Sequence, residues 1–77
     1  MHITQIELSN RRINPETHDD CAEVAFHSKG TVTRIQANAP RAAPKLDLIR
    51  DAVRQLRRMP EIRSGQDKLS FERLCIQ

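Results

Sequence analysis

Aromatic side chains are scarce in this chain of 77 residues, which has no Trp, no Tyr and two Phe. A core therefore has to be built from Ile, Leu, Val and Ala, and a domain of about this size buries only about 60% of the surface that its unfolded chain exposes. Single-stranded nucleic acids stack on exposed aromatic rings, so this scarcity argues against such a platform. The sequence predicts a single domain over residues 1–77 with a thin core, which dimerisation would supplement.

Long apolar runs are absent as well. The longest, Val24–Phe26 and Leu74–Ile76, have three residues each, whereas a membrane-spanning helix needs about 20. The N-terminal residues contain neither the basic segment nor the apolar segment of a signal peptide. We therefore expect a soluble, cytoplasmic protein without membrane contacts, in which the two cysteines are reduced.

Signatures of catalysis are missing too. Gly30 and Gly65 are the only glycines, so no glycine-rich loop can cradle a phosphate. The acids Asp19 and Asp20 follow His18, but no serine or cysteine nucleophile motif accompanies them, and aspartates in this setting are typical of solvated turns. We predict that the chain is not an enzyme and binds no cofactor.

Zinc-ligating residue types occur without the spacing of a zinc module. His18-x-x-Cys21, His27 and Cys75 would together supply four ligands. Structural zinc sites, however, show closely patterned ligand pairs, which this chain does not have. The predicted strand parity also places Cys21 and His27 on a solvent face. We therefore predict ordinary histidines, ordinary thiols and no metal site.

The N-terminal part of the chain alternates in a way that is typical of a strand. We predict this strand over His2–Leu8, with Ile6 and Ile3 on opposite faces. A polar connection, Asn10–Asp20, follows and contains Asn14-Pro15 and three acids. Its composition predicts a long surface loop.

A β-hairpin is predicted by two further alternating segments, Ala22–His27 and Thr31–Ala39. An even-numbered loop would pair Val24 with Ile35 and keep the apolar residues of both strands on one face. An odd-numbered loop would mix the two faces, so the even loop is preferred. The remaining pairs of this register are Ala22 with Ala37 and Phe26 with Thr33.

The length of the hairpin loop depends on the residues between the strands. A two-residue type I′ turn requires positive φ at both of its central residues, and Lys29 is a poor residue for that conformation. We therefore expect a four-residue loop, Ser28–Thr31. The solvent face of this hairpin would carry Glu23, Arg34 and Gln36.

One amphipathic helix dominates the second half of the chain, and we predict it over Ala43–Met59. Pro44 fits the first turn, where its missing N–H costs nothing, and Pro60 stops the helix. Asp47 near the start complements the helix dipole. The apolar residues recur at three- and four-residue steps and are Leu46, Ile49, Ala52, Val53, Leu56 and Met59. We expect this stripe to lie across the sheet face that carries Val24.

Positive charge is concentrated on this helix and its flanks. Residues 1–40 carry four Lys/Arg against five Asp/Glu, residues 41–63 seven against three, and residues 64–77 two of each. Such an excess attracts anionic partners. The candidate residues for binding one are Arg41, Lys45, Arg50, Arg54, Arg57 and Arg58. The alternative is a solubilising face in which Asp47 and Asp51 pair with the arginines three residues further on.

The C-terminal residues 64–77 fit two structures. Leu69, Phe71 and Cys75 share strand parity, whereas Ser64-x-x-Asp67 resembles a helix capping box. We favour a fourth strand because a strand covered on both faces tolerates mixed parity. The helical alternative stays open.

These elements together predict an α+β domain: a three-stranded antiparallel meander with one long amphipathic helix packed on one face, and a possible fourth C-terminal strand. Our leading functional hypothesis is a non-enzymatic interaction module that binds another protein or self-associates, with Val32 and Ile3 on the open face of the sheet. The alternative is weak, backbone-directed binding of nucleic acid through the arginine flank of the helix.

Overall fold

The computed structural model describes residues 1–73 and Ile76 and has the predicted α+β architecture. Three strands form an antiparallel meander, and one long helix packs on one face of it. A second, two-stranded sheet brings the N-terminal and C-terminal segments together. In chain order the elements are β1 (His2–Ile3), β2 (Gln5–Ile13), β3 (Asp20–Ser28), β4 (Thr31–Ala39), α1 (Lys45–Arg57), α2 (Pro60–Arg63) and β5 (Ser70–Phe71).

The hairpin between β3 and β4 confirms the predicted register. Val24 lies opposite Ile35, and the pairs Ala22 with Ala37 and Phe26 with Thr33 follow. The predicted four-residue loop is wrong, because Ser28 and Thr31 pair and leave a two-residue turn. Gly30 supplies the positive φ of this turn, at 82°. Lys29 does not have to adopt positive φ, which removes the objection to so short a turn.

The strand β2 is longer than predicted, and the loop after it is shorter. We expected a loop over Asn10–Asp20, but β2 continues to Ile13 and β3 already begins at Asp20. The register shifts between Ser9 and Arg12, where Asn10 has a φ of 55°. A bulge of this kind bends a strand without ending it. The C-terminal half of β2 is exposed on both faces. The sequence there therefore shows no alternation of apolar and polar residues that would indicate a strand.

The predicted N-terminal strand is interrupted at Thr4. The Thr4 backbone N–H donates to the carbonyl of His27 at 2.8 Å. The alternation of inward-facing and outward-facing side chains does not continue across Thr4. As a result Ile3 and Ile6 are both buried, at 0% and 3% exposed. The expectation that Ile3 lies on the open face is therefore wrong, and Ile3 belongs to the core.

The C-terminal strand is present as β5, and it does not extend the meander through β4. It runs parallel to β1, with Ser70 opposite His2, and Ile76 makes a parallel bridge with Ile6. The capping-box interpretation is wrong, since Ser64 is the C-cap residue of α2. The other residues of the expected strand, Leu74 and Cys75, lie outside the described residues.

The helix α1 is shorter than predicted, and its buried face is rotated about the helix axis relative to the predicted apolar stripe. It begins after its N-cap residue Pro44, and Pro60 is the first residue of the short α2. Leu48 is fully buried, whereas Leu46 is 44% exposed, so the predicted stripe is wrong at Leu46 and omitted Leu48. The buried face of α1 consists of Leu48, Ile49, Ala52 and Leu56. These residues pack against the sheet residues Ile3, Ile6, Ala22, Val24, Phe26, Ala37 and Ala39.

Candidate functional site

One flank of α1 is sealed against the edge strand β4. The Asp51 carboxylate accepts a hydrogen bond from the Asn38 backbone N–H (Oδ2 to N, 3.0 Å). Gln55 donates from Nε2 to the Gln36 carbonyl at 2.8 Å and to Asp51 at 2.9 Å. These side chains occupy backbone groups that an additional strand would otherwise use. They also fix the rotation of α1, because Leu48 and Ala52 are their neighbours on the helix surface.

The opposite flank of α1 borders an open apolar groove. It lies between α1 and the C-terminal segment and encloses about 540 Å³. Among the described residues, its apolar lining consists of Ile6, Leu46, Ile49, Val53, Phe71 and Ile76, and its polar lining of Arg50 and Glu72. We call this surface the α1–β5 groove.

The width of a helix explains why this groove stays open. A helix with its side chains is about 10–12 Å across, and strands are spaced about 4.8 Å apart, so one helix covers about two strands. The bonds from Asp51 and Gln55 draw α1 towards β4. The helix α1 consequently covers less of the start of β2 and of the segment around β5, although both carry apolar side chains.

Exposed apolar side chains are concentrated at the α1–β5 groove. Among the described residues, four large hydrophobic side chains are exposed, and two of them, Leu46 (44%) and Ile76 (45%), line this groove. The other two, Ile13 and Val32, are separate from it. Contiguous exposed apolar surface with a polar rim is typical of interaction sites. Val32 is thus exposed as expected, but it is not part of the apolar groove.

The predicted arginine flank lies on the solvent side of α1. Arg50, Arg54, Arg57 and Arg58 are all exposed. Arg54 pairs with Asp51 at 3.6 Å, which confirms one of the two expected pairs. Within the described part of the chain, the guanidinium groups of the other three arginines make no ion pair or hydrogen bond, so the expected pair between Asp47 and Arg50 is not formed. Of these four arginines, only Arg50 lines the groove.

The remaining candidates for binding an anionic partner lie near the start of α1. Arg41 is exposed in the connection before the helix, and Lys45 is the first helical residue and is exposed. A polar cleft of about 310 Å³ between α1 and the end of β4 contains Arg50 and Arg54 but also Asp47 and Asp51. The acids offset the arginines there. The structure therefore brings the arginines together without making the cleft strongly cationic.

The acids beside His18 have different environments. We expected Asp20 in a solvated turn, but it is 6% exposed. Its carboxylate accepts hydrogen bonds from Arg11 (Oδ2 to Nη2, 2.7 Å) and from the Ala42 backbone N–H (3.2 Å). Arg11 also donates to the Ala43 carbonyl. This cluster ties β2 and β3 to the connection before α1, and no sequence pattern indicates a contact between positions so far apart.

The zinc-ligating residue types are not assembled into a site within residues 1–73 and Ile76. No group of three or more potential ligands occurs in that part of the chain, and Cys75 lies outside it. His27 pairs with Glu7 at 2.8 Å. Cys21 is buried at 6% exposed, contrary to the expected solvent position, because it sits in the central strand between Arg12 and Asn38.

A further cleft, of about 520 Å³, lies beside the β3–β4 turn and is lined in part by two histidines. Both imidazoles are already engaged. His2 contacts Ser70 at 2.7 Å and Glu72 at 2.8 Å, and His27 contacts Glu7. Each imidazole therefore has at least one ring nitrogen held by a neighbouring side chain.

Comparison with protein-family models, with curated proteins and with solved structures finds no match to this chain. Among the described helices, none combines the length and the apolar character that crossing a membrane requires. The function has to be inferred from the surfaces of the domain itself.

Proposed function

We propose that this chain is a non-enzymatic protein-interaction module that docks its partner in the α1–β5 groove. The observation that supports this proposal is the convergence of two exposed apolar side chains, Leu46 and Ile76, on one groove between helix and sheet. The far face of the meander does not offer an equivalent surface. Its pairs include Glu7 with Ala25 and Glu23 with Gln36, and Val32 is the only large hydrophobic side chain exposed there among the described residues.

Burial of the exposed apolar side chains of the groove contributes part of the free energy of docking. Fully burying a Leu or Ile side chain contributes about 1.5–3 kcal/mol. Leu46 and Ile76 are each a little under half exposed, so covering them contributes about 1 kcal/mol apiece. A small core gains from this burial, since a domain of about this size is marginally stable by itself.

A second candidate function is backbone-directed binding of nucleic acid. It is supported by the exposed arginine flank of α1, in which three guanidinium groups have no ion pair or hydrogen bond within the described residues. Guanidinium groups bind phosphates through two parallel hydrogen bonds. Asp47 and Asp51 line the same cleft as Arg50 and Arg54 and lower the local positive potential there, so the protein-binding function is the better supported one.

Site-specific photocrosslinking tests the leading proposal. Leu46 is replaced by the photoreactive residue p-benzoylphenylalanine, and the protein is irradiated in a native cell lysate. The matched control carries the same residue in place of Val32, which is exposed to the same degree but lies outside the groove. We expect a discrete protein adduct from position 46 that position 32 does not give.

The adduct pattern also distinguishes the alternatives. Identical products from both positions, or none from position 46, would contradict the groove as a docking site. A nucleic-acid adduct from position 46 that is lost on nuclease treatment would favour the second function. Mass spectrometry of the adduct identifies the partner peptide that enters the groove.

A further inference from the structure

The two charged residues that line the α1–β5 groove among the described residues, Arg50 and Glu72, belong to opposite walls. Arg50 belongs to α1, and Glu72 directly follows β5. We infer that the occupant of the groove is a second copy of this chain, related to the first by a two-fold axis that runs parallel to the groove. This inference rests on the proposed function and specifies the partner of the same site.

Charge complementarity indicates both the identity of the partner and the direction of the two-fold axis. An isologous interface uses the same patch twice, so the patch has to be complementary to itself. A two-fold axis parallel to the groove exchanges its walls and places Arg50 of each copy against Glu72 of the other. An axis perpendicular to the groove would place Arg50 against Arg50, and close like charges at an interface are strongly unfavourable.

Both charged groups are available for this contact. Arg50 is exposed, and its guanidinium group makes no ion pair or hydrogen bond with any described residue. The Glu72 side chain is 56% exposed, and its contact with His2 uses only Oε2 (2.8 Å). A guanidinium of the second copy can therefore bind at Oε1, since a carboxylate accepts several hydrogen bonds.

The apolar part of the groove supports the same arrangement. Leu46 protrudes from the α1 wall, and Phe71 and Ile76 line the facing wall. Exchange of the walls brings Leu46 of one copy over Phe71 and Ile76 of the other. Each apolar contact then occurs twice in the dimer, which doubles the burial that one groove provides.

Sedimentation equilibrium with charge-swapped variants tests the inference. We expect a reversible dimer for the unchanged chain and a dimer dissociation constant raised by about tenfold or more in Arg50→Glu and in Glu72→Arg, because each creates two like-charge contacts. An equimolar mixture of the two variants should restore association, since every facing pair is again of opposite sign. Arg58→Glu makes the same change of charge on α1 outside the groove and should leave association nearly unchanged.

The outcomes separate this inference from the function on which it rests. A monomer at millimolar concentration overturns the second copy as occupant, and an adduct between position 46 and a different protein would then leave the docking function standing. Dimerisation that responds to Leu46→Gln but not to either charge swap overturns the two-fold arrangement. Circular dichroism of each variant confirms that the fold is retained, so that a loss of association is not a loss of structure.

Discussion

Asp51 of α1 accepts a hydrogen bond from the backbone N–H of Asn38 in the edge strand β4, with 3.0 Å between Oδ2 and N. A helix side chain here takes the place of a neighbouring strand. The same carboxylate contacts Gln55 (2.9 Å) and Arg54 (3.6 Å). This contact holds α1 near β4, and the space between α1 and the C-terminal segment stays open. A structural bond at one flank of the helix thus helps to position the candidate docking site at the other.

Replacing Asp51 by Ala is expected to destabilise the domain by about 1–2 kcal/mol, the cost of leaving a backbone donor without its charged acceptor. The control is Arg54→Ala, which removes the ion pair but keeps the bond to β4 and should cost less than about 1 kcal/mol. Urea denaturation followed by circular dichroism measures both. Equal losses in the two variants would show that the helix–edge contact contributes nothing of its own.

Leu48→Ala should cost about 2–5 kcal/mol, because it removes buried methyl groups and leaves a cavity. Leu46→Ala should cost less than about 1 kcal/mol, since substitutions at exposed positions usually have small effects. Both variants make the same chemical change on the same helix. The difference in their stability, measured by thermal denaturation, therefore reports which face of α1 is buried. The reverse order of stability would place Leu46 in the core instead.

Arg11→Ala should destabilise the fold by about 2 kcal/mol, because it leaves the Asp20 carboxylate buried without its cation. This magnitude is below that of a fully buried pair because the Arg11 side chain is 37% exposed. The double variant Arg11→Ala with Asp20→Ala should lose less than the sum of the two single losses. Additive losses in a denaturation-based double-mutant cycle would show that the two side chains are not coupled.

Ala42→Gly should stabilise the domain. The Ala42 φ of 63° is a left-handed conformation that costs a residue with a Cβ about 1–2 kcal/mol, and the greater freedom of glycine in the unfolded chain offsets part of the gain. We expect a rise in Tm of a few degrees. Ala43→Gly is the control, because φ is not positive there, and it should lower Tm. A lower Tm in both variants would contradict the strain at Ala42.

Nucleic-acid binding, if it occurs, has a predictable salt dependence. If the α1 arginines neutralise about four phosphates of duplex DNA, a plot of the logarithm of the binding constant against the logarithm of the salt concentration has a slope of about −3.6. Replacing Arg54 and Arg58 by Gln should reduce the magnitude of that slope by roughly two. Fluorescence anisotropy with labelled duplex measures the slope. Absence of binding at low salt to DNA and RNA of either strandedness would exclude this function.

The β3–β4 hairpin shows what the local sequence pattern could predict and what it could not. Val24 belongs to the apolar series Ala22, Val24 and Phe26, and Ile35 lies between Arg34 and Gln36. Only an even loop keeps both on one face, so their pairing could be predicted before the structure. The loop length could not, because it depended on whether Lys29 had to adopt positive φ. In the turn that forms, Gly30 alone supplies it.

The candidate site was predicted less well than the fold. The arginines of α1 were identified from composition, but only Arg50 among them contacts the groove. The groove itself combines residues of β2, α1 and the C-terminal segment, for example Ile6 and Phe71. Their proximity follows from the parallel pairing of β1 with β5, which no periodicity within either short segment indicates.

The sequence by itself determined the α+β class, the register of the β3–β4 hairpin and the existence of α1, because each follows from a repeat of apolar residues within a few positions. Only the tertiary structure decided which face of α1 is buried. Leu46 and Leu48 are equally apolar, and contacts of Asp51 and Gln55 with the backbone of β4 make the choice between them. The same contacts decide where the apolar groove lies. Periodicity encodes the element, whereas contacts between residues distant in sequence fix its rotation and what it leaves exposed.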